Sequence, residues 1–288
     1  MSGTRVWRHS AGEIELGRRT LLMGVVNVTP DSFSDGGRHP TEGVAVAHGL
    51  QLLADGADVL DVGGESTRPG ARPVSAEDEA RRVVPVVRRL AEAGAAVSVD
   101  TTKARVADAC LAAGARIVND VSAARDPGML GVVARHGAGL VLMHMQGEPR
   151  TMQEAPAYGD VVKEVAAFLS ERVEAAVAAG VAREAVVVDP GIGFGKTLAH
   201  NLALLRGVPD LKRAAGRPVL VGASRKGFLG TLTAENGAVP SPQDRLEATI
   251  GAHLAAVALG ADAVRVHDVR AHRRALAAAD PVLRRSGP

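Results

Sequence analysis

Eight times along this chain a short apolar run ends in a polar or glycine residue. Leu21–Val26 stops at Asn27, Val59–Val62 at Gly63-Gly64-Glu65, Ala95–Val99 at Asp100, and Ile117–Val118 at Asn119-Asp120. Leu140–Met143 stops at His144, Val186–Val188 at Asp189, Val219–Val221 at Gly222-Ala223-Ser224, and Ala263–Val264 at Arg265. Helix-period sequence separates most of these runs. Eight β-α units predict an α/β fold, a closed parallel TIM (β/α)8 barrel, whose chemistry sits at the C-terminal ends of the strands. The eight polar marks fall at those ends. The 288 residues fit one such barrel, and the even spread of the units argues for a single domain over residues 1–288.

Residues 5–16 alternate weakly, with Val6 and Trp7 before His9-Ser10-Ala11-Gly12 and Ile14 and Leu16 after it. That suits a short N-terminal hairpin covering the bottom of the barrel. Helices are expected at about 41–55 with Thr41 as N-cap, from Ser75 to near Gly94, and at 103–113, 128–136, 158–180, 201–205 and 245–260. An eighth begins after His267. Ser75 to Asp78 resembles a capping box with Asp in place of Glu. Three connections, 28–40, 63–74 and 144–157, are longer than packing needs and follow strands, where functional loops belong. Residues 227–244 form a fourth irregular stretch.

Composition narrows the function classes. Thirty-four basic against 32 acidic residues give a net charge of +2, and aromatics are 2% of the chain. Neither a basic platform nor stacking surfaces for bases are present, so no nucleic-acid partner is expected. Cys110 is the single cysteine, which rules out an intrachain disulfide and suits a reducing compartment. Met1–Gly12 has no apolar signal core, and no run is long enough to cross a bilayer. These features predict a soluble cytoplasmic protein with no membrane partner.

Inside the barrel mouth Asp100, Asn119, Asp189 and Lys226 converge. A carboxylate accepts two parallel N–H bonds, an Asn both donates and accepts, and a Lys donates to a ring carbonyl or nitrogen. Such a set suits a planar, amide-bearing heterocycle. Any one of these acids alone could merely cap the next helix; four in one mouth argue for a site. Asn27, Arg265 and His267 form a second group on the first and last strands, which become neighbours on closure. Arg265 and His267 lie two apart, hence on one face, and with an Asn amide they suit a phosphate or diphosphate. Asn27 can also offer its oxygen to Mg²⁺, which takes few protein ligands beside phosphate oxygens. The alternative for Arg265 is a surface pair with Asp268. Gly191 to Lys196 lacks the context of a dinucleotide fingerprint. His144 has no second His at ligand spacing and is expected as a packed, hydrogen-bonded ring.

Together these residues resemble the dihydropteroate synthases. Met23-Gly-Val-Val-Asn-Val-Thr-Pro-Asp-Ser-Phe-Ser-Asp-Gly-Gly37 and Asp61-Val-Gly-Gly-Glu-Ser-Thr-Arg-Pro-Gly-Ala71 match the family's two long loop signatures. Ser98-Val-Asp-Thr101, Val118-Asn-Asp-Val-Ser122, Leu142-Met-His-Met-Gln-Gly147, Asp189-Pro-Gly-Ile-Gly-Phe-Gly-Lys-Thr197, Gly222-Ala-Ser-Arg-Lys226 and Arg265-Val-His-Asp268 follow in the family's order. The likeness runs from about residue 15 to 280. It implies a transferase of folate biosynthesis that condenses (7,8-dihydropterin-6-yl)methyl diphosphate with 4-aminobenzoate, and a target for sulfonamides, which mimic that amine. It implies Asp100, Asn119, Met143, Asp189, Gly222 and Lys226 around the pterin. It implies Asn27, Thr67, Arg68, Arg265 and His267 at the diphosphate, with Mg²⁺ at Asn27. Phe33, Pro69, Phe194 and Ser224 would frame the aminobenzoate. Asp35, Arg68 and Lys226 would act in catalysis, with the first two loops closing over the bound pterin.

Two other readings remain at this point. A pterin-dependent methyltransferase shares the Asp and Asn logic but has no diphosphate to expel. A pterin-binding paralogue without catalysis would keep the site and lose turnover. Finally, between Ala248 and Leu259 only Thr249 and His253 are polar, so the seventh helix lacks the charged face an outer helix normally shows water. With the family resemblance, that points to a homodimer packed through this helix.

Overall fold

The computed structural model describes residues 5–28, 42–66, 70, 73–148 and 150–284. Ten strands and ten α-helices appear among them. The hairpin is present as β1 (Arg5–His9) and β2 (Gly12–Leu16), paired antiparallel with Trp7 opposite Ile14. The barrel strands are β3 (Leu21–Asn27), β4 (Val59–Gly63), β5 (Val97–Asp100), β6 (Ile117–Asp120), β7 (Gly139–Met143), β8 (Val186–Asp189), β9 (Leu220–Val221) and β10 (Ala263–Val266). They pair in parallel in the order β8-β7-β6-β5-β4-β3-β10-β9. A parallel bridge between Val188 and Val219, with Val188 N–H on the Pro218 carbonyl at 3.0 Å, joins the two ends. This is the expected barrel.

Alternate strand residues face opposite ways, and the two faces built two cores. Leu60, Val62, Val97, Val99, Leu140, Leu142, Val186 and Val188 point outward and pack on the helices. Met23, Val59, Ile117, Val141, Val187, Leu220 and Ala263 point inward near the strands' N-terminal ends. Trp7 and Leu16 of the hairpin join that inner cluster, and Trp7 Nε1 donates to the Ala185 carbonyl at 2.9 Å. The hairpin is thus a plug, and its Trp is fully buried with its one polar atom satisfied.

The helices are α1 (Glu42–Ala54), α2 (Ala76–Glu92), α3 (Ala104–Ala112), α4 (Met129–His136), α5 (Val161–Ala178), α6 (Leu198–Arg206), α7 (Val208–Ala215), α8 (Gly227–Leu232), α9 (Leu246–Ala258) and α10 (Val269–Leu283). Thr41 lies outside the described residues. Ser75 caps α2 by accepting from Asp78 N–H at 3.0 Å, but Asp78 returns its carboxylate to the Ser75 hydroxyl, not to the backbone. A complete capping box stands instead at Thr197 and His200, opening α6. Two expectations need correction. The short sixth helix is a pair, because Pro209 sits in the first turn of α7, where its missing N–H costs nothing. The stretch 227–244 is not wholly irregular, since it opens with α8 and ends in a 3-10 turn at Pro242–Asp244. Cys110 is buried on α3, and burial pushes its thiol up to about 12, so it is a packing residue.

Candidate active site

At the C-terminal mouth, a cleft is lined by Asp100, Asn119, Val121, Met143, Asp189, Phe194, Gly222, Ser224, Lys226, Arg265 and His267. Arg265 on β10 reaches across the barrel. Its Nε donates to Asp61 Oδ2 at 2.6 Å and its Nη2 to Asp100 Oδ2 at 2.8 Å. Asn119 Nδ2 donates to the same Asp61 oxygen at 2.9 Å. That commitment leaves the Asn119 amide oxygen to accept. Asp61 is fully buried, and its Oδ1 has no partner among the described residues. Burial pushes the Asp100 carboxyl up to about 7 against the pull of Arg265, and the Asp61 and Glu79 carboxylates add to the rise. The alternative pairing of Arg265 with Asp268 does not form; Arg225 holds Asp268 through two bonds of 3.0 and 2.6 Å.

Lys226 approaches from the turn after β9. Its ammonium donates to the Ile192 carbonyl and lies 3.9 Å from the centre of the Phe194 ring. Burial pulls it down to about 7, against the attraction of Asp189. Asp189 accepts from Gly191 N–H at 2.6 Å, and burial raises its pKa. The glycine-rich loop after β8 is a close-approach loop. A Cβ on Gly191 would lie 1.9 Å from the His144 carbonyl oxygen, and one on Gly195 2.4 Å from that of Gln146. Both have φ in the left-handed region, +68° and +62°. The loop thereby seats on residues 144–158, where Gln153 Nε2 donates to the Gly193 carbonyl and Tyr158 Oη to that of Gly195.

His144 is the packed ring expected of it. Its edge meets Phe168 with centroids 4.9 Å apart, and Lys196 Nζ stands 3.0 Å from its Nδ1. Burial lowers the imidazole to about 3, with Lys196 adding to the effect, and lowers Lys196 itself to about 7. His267 Nδ1 lies 2.9 Å from Ser224 Oγ, and His267 N–H donates to that oxygen at 3.2 Å. Asn27 ends β3 opposite Gly63, half-buried, and is not among the residues lining the cleft. Phe33, Asp35, Thr67, Arg68 and Pro69 lie outside the described residues.

Sequence reasoning placed Asp100, Asn119, Met143, Asp189, Phe194, Gly222, Ser224, Lys226, Arg265 and His267 at this mouth, and the structure brings them together there. It missed Asp61 as the hub of the network. The signal was available: Asp61 stands two residues after inward-facing Val59, inside a run treated as wholly apolar. It also missed an anchor under the second loop. Glu65 accepts Val74 N–H at 2.8 Å and Lys103 Nζ at 2.6 Å, and Lys103 also bonds the buried Glu79.

The description "pterin binding enzyme" is that of the family model matching residues 23–267. A dihydropteroate synthase from Mycobacterium leprae is 53% identical over 258 residues, covering 88% of this chain and 90% of that protein. The solved structure of the Xanthomonas albilineans dihydropteroate synthase with 4-aminobenzoic acid superposes with a TM-score of 0.89 at 48% identity. It covers 98% of this chain and 100% of its own. The same enzyme in complex with 7,8-dihydropteroate superposes with a TM-score of 0.83 at 47% identity, over 94% and 95% of the two chains. This chain belongs to the pterin binding enzyme family and, within it, to the dihydropteroate synthases.

Proposed function

We propose that this chain condenses (7,8-dihydropterin-6-yl)methyl diphosphate with 4-aminobenzoate, releasing diphosphate and 7,8-dihydropteroate. The observation that carries this reading is the charge balance of the mouth. Asp100 and Asp189 line the cleft beside Arg265 and Lys226, Asp61 lies buried beneath them, and the Asn119 amide oxygen is left to accept. A surplus of acceptors suits a heterocycle rich in N–H donors. Asp100, Asn119 and Asp189 would take the N–H groups of the pterin edge, Lys226 would donate to its ring, and Met143 and Gly222 would pack its faces. Loss of diphosphate leaves a cation on the methylene carbon, stabilised by the pterin, and the nearby carboxylates favour that charge. His267 and Arg265 would hold the departing diphosphate, with Asn27, Thr67 and Arg68. Phe33, Pro69, Phe194 and Ser224 would frame the arylamine, positioned for attack, and Asp35 would stand by the methylene carbon.

Among the described residues no three His, Cys, Asp or Glu side chains gather as a metal cage. Asn27 offers one neutral oxygen. That donor set suits Mg²⁺ arriving on diphosphate oxygens, with Asn27 completing its shell. When bound, the ion would neutralise charge on the leaving group.

The homodimer rests on α9. Gly251, Ala255 and Ala258 are exposed on it, with Leu259 just beyond and Ile250 and Leu254 half-buried beside them. Exposed Glu247 opens the same face one turn earlier, no charge follows it as far as Leu259, and a second copy packing there would cover the apolar part. No helix among the described residues is long and apolar enough to cross a membrane. A single-turnover assay with both substrates tests the activity. Stoichiometric diphosphate release coupled to aminobenzoate incorporation, faster with Mg²⁺, is expected. Pterin binding with no diphosphate release would instead favour a methyltransferase or a non-catalytic paralogue.

A further inference from the structure

The turn that aims Ser224 and Lys226 into the cleft is held from behind by two helices. Arg225, in its middle, has φ of +59°, a conformation side chains rarely adopt unsupported. Its N–H donates to Thr249 Oγ1 of α9 at 3.1 Å, and its carbonyl accepts Arg245 Nη1 at 3.0 Å. Ala223 N–H donates to His253 Nε2 of α9 at 3.0 Å. His253 Nδ1 stands 3.0 Å from His272 Nε2 of α10, and His272 Nδ1 stands 2.8 Å from the Asp268 carbonyl oxygen. Both rings are 1% exposed.

This geometry fixes the protons. A backbone amide can only donate, so His253 Nε2 accepts and the ring's proton lies on Nδ1. That proton points at His272 Nε2, which must also accept. His272 therefore carries its own proton on Nδ1, facing a carbonyl that can only accept. The chain runs one way, from Ala223 N–H through both rings to Asp268. Adding a proton to either ring sets two donors face to face. Burial lowers the pKa of both imidazoles; His253 also faces His272, Lys226 and His267, while His272 faces the Asp268 carboxylate.

We propose that His253 and His272 form a one-directional hydrogen-bonded relay that positions the 223–226 turn, and with it Ser224 and Lys226, for the reaction. Neither ring reaches the cleft, so both are positioning residues. The relay's link to turnover rests on the synthase reading above; its existence does not.

Nitrogen-15 labelling of the histidines in the intact protein tests the relay directly. Long-range proton–nitrogen spectra should show two rings with Nδ1 protonated and Nε2 bare, the tautomer free histidine disfavours, unchanged between pH 7.5 and 6.0. Spectra of His253→Gln and His272→Gln assign them. A proton on Nε2 of either ring, or a doubly protonated ring at pH 6.0, overturns the relay. Kinetics test its purpose. His253→Leu strands the Ala223 N–H and should raise the KM of both substrates about tenfold, the size expected when a buried donor loses its partner. His253→Gln, whose side-chain oxygen can still accept, should recover most of that loss. If His253→Leu does not fold, His272→Leu replaces it, with a rise of about threefold expected because that ring touches no residue of the turn. Parental KM values in whichever leucine variant folds overturn the positioning role. If the unmodified protein releases no diphosphate, the synthase reading fails, and the tautomer spectra still decide whether the relay exists.

Discussion

Two residues along four of the strands separate the driest part of this barrel from its most charged part. β4 turns Val59 inward and then Asp61; β6 turns Ile117 and then Asn119; β8 turns Val187 and then Asp189; β10 turns Ala263 and then Arg265. Exposure barely distinguishes the two levels, since Val59 and Asp61 are both at 0% and Ile117 and Asn119 at 0% and 4%. What differs is how burial is made tolerable. The lower level gains from apolar area removed from water, roughly 25 cal/mol per Å². The upper level loses by desolvating charge and recovers only through the bonds among Asp61, Asp100, Asn119 and Arg265. One level stabilises the barrel and the other leaves acceptor capacity facing the cleft.

Breaking the upper level at its cation should have the largest effect. Arg265→Met leaves Asp61 and Asp100 buried without their shared partner. Removing one member of a buried pair costs about 3–5 kcal/mol. A melting curve near neutral pH should show that loss, and diphosphate release should disappear even where the variant is folded. A variant as stable as the parent would mean that solvent already compensates those acids.

Trp7→Ala attacks the lower level. Removing the plug's ring should cost about 3 kcal/mol in stability. Turnover well below the melting temperature should match the parent's, because nothing at the cleft touches Trp7. A loss of kcat at such temperatures would show that the two levels are mechanically coupled. Asp100→Asn makes the reverse separation: the barrel stays folded, while pterin affinity measured by calorimetry falls by about 2 kcal/mol as one acceptor becomes a donor. Unchanged affinity would remove Asp100 from the pterin site.

The two levels were also unequally legible. Strand ends were plain in the sequence because polar residues interrupt apolar runs there, and the loop signatures around Asn27 and Arg68 carried the family likeness. The partner of Arg265 was not plain. Its nearest acids in the chain are Asp262 and Asp268, yet it bonds Asp61, 204 residues away, because only barrel closure brings β10 beside β3 and within reach of β4. Local spacing reports which residues share a face, and it says nothing about which strand the other face meets. The His253–His272 pair was hidden for the same reason: each lies on its own helix, and the bond between them depends on how α9 and α10 pack. The break at Gly207 obscured α7 differently, since Gly-Val-Pro reads as a stop although Pro209 is compatible with a first helical turn.

The smallest expected effect is a pH dependence that belongs to the upper level alone. Burial lowers Lys226 to about 7 from its ordinary 10.5. Between those values the unfolded chain binds a proton that the folded one does not, so stability rises with pH across that window. Below pH 7 both states hold the proton and the desolvation penalty is present in full. Lys226→Met has no proton to bind. The parent should therefore gain on this variant between pH 7 and pH 9, by about 1 kcal/mol after allowance for the side chain's partial exposure and its attraction to Asp189. Lys196 shifts in the same direction, and because Lys226 helps to lower it, the part of that shift lost in the variant adds to the difference with the same sign. Denaturant titrations at the two pH values measure this directly. The matching difference for Trp7→Ala should be nearly flat, because the side chains packed in its inner cluster do not titrate and His9 of the same hairpin, lowered by burial, is already neutral across this window. A flat difference for Lys226→Met as well would mean that its ammonium stays charged in the folded mouth above pH 7, and the cleft would then be better hydrated than its packing implies.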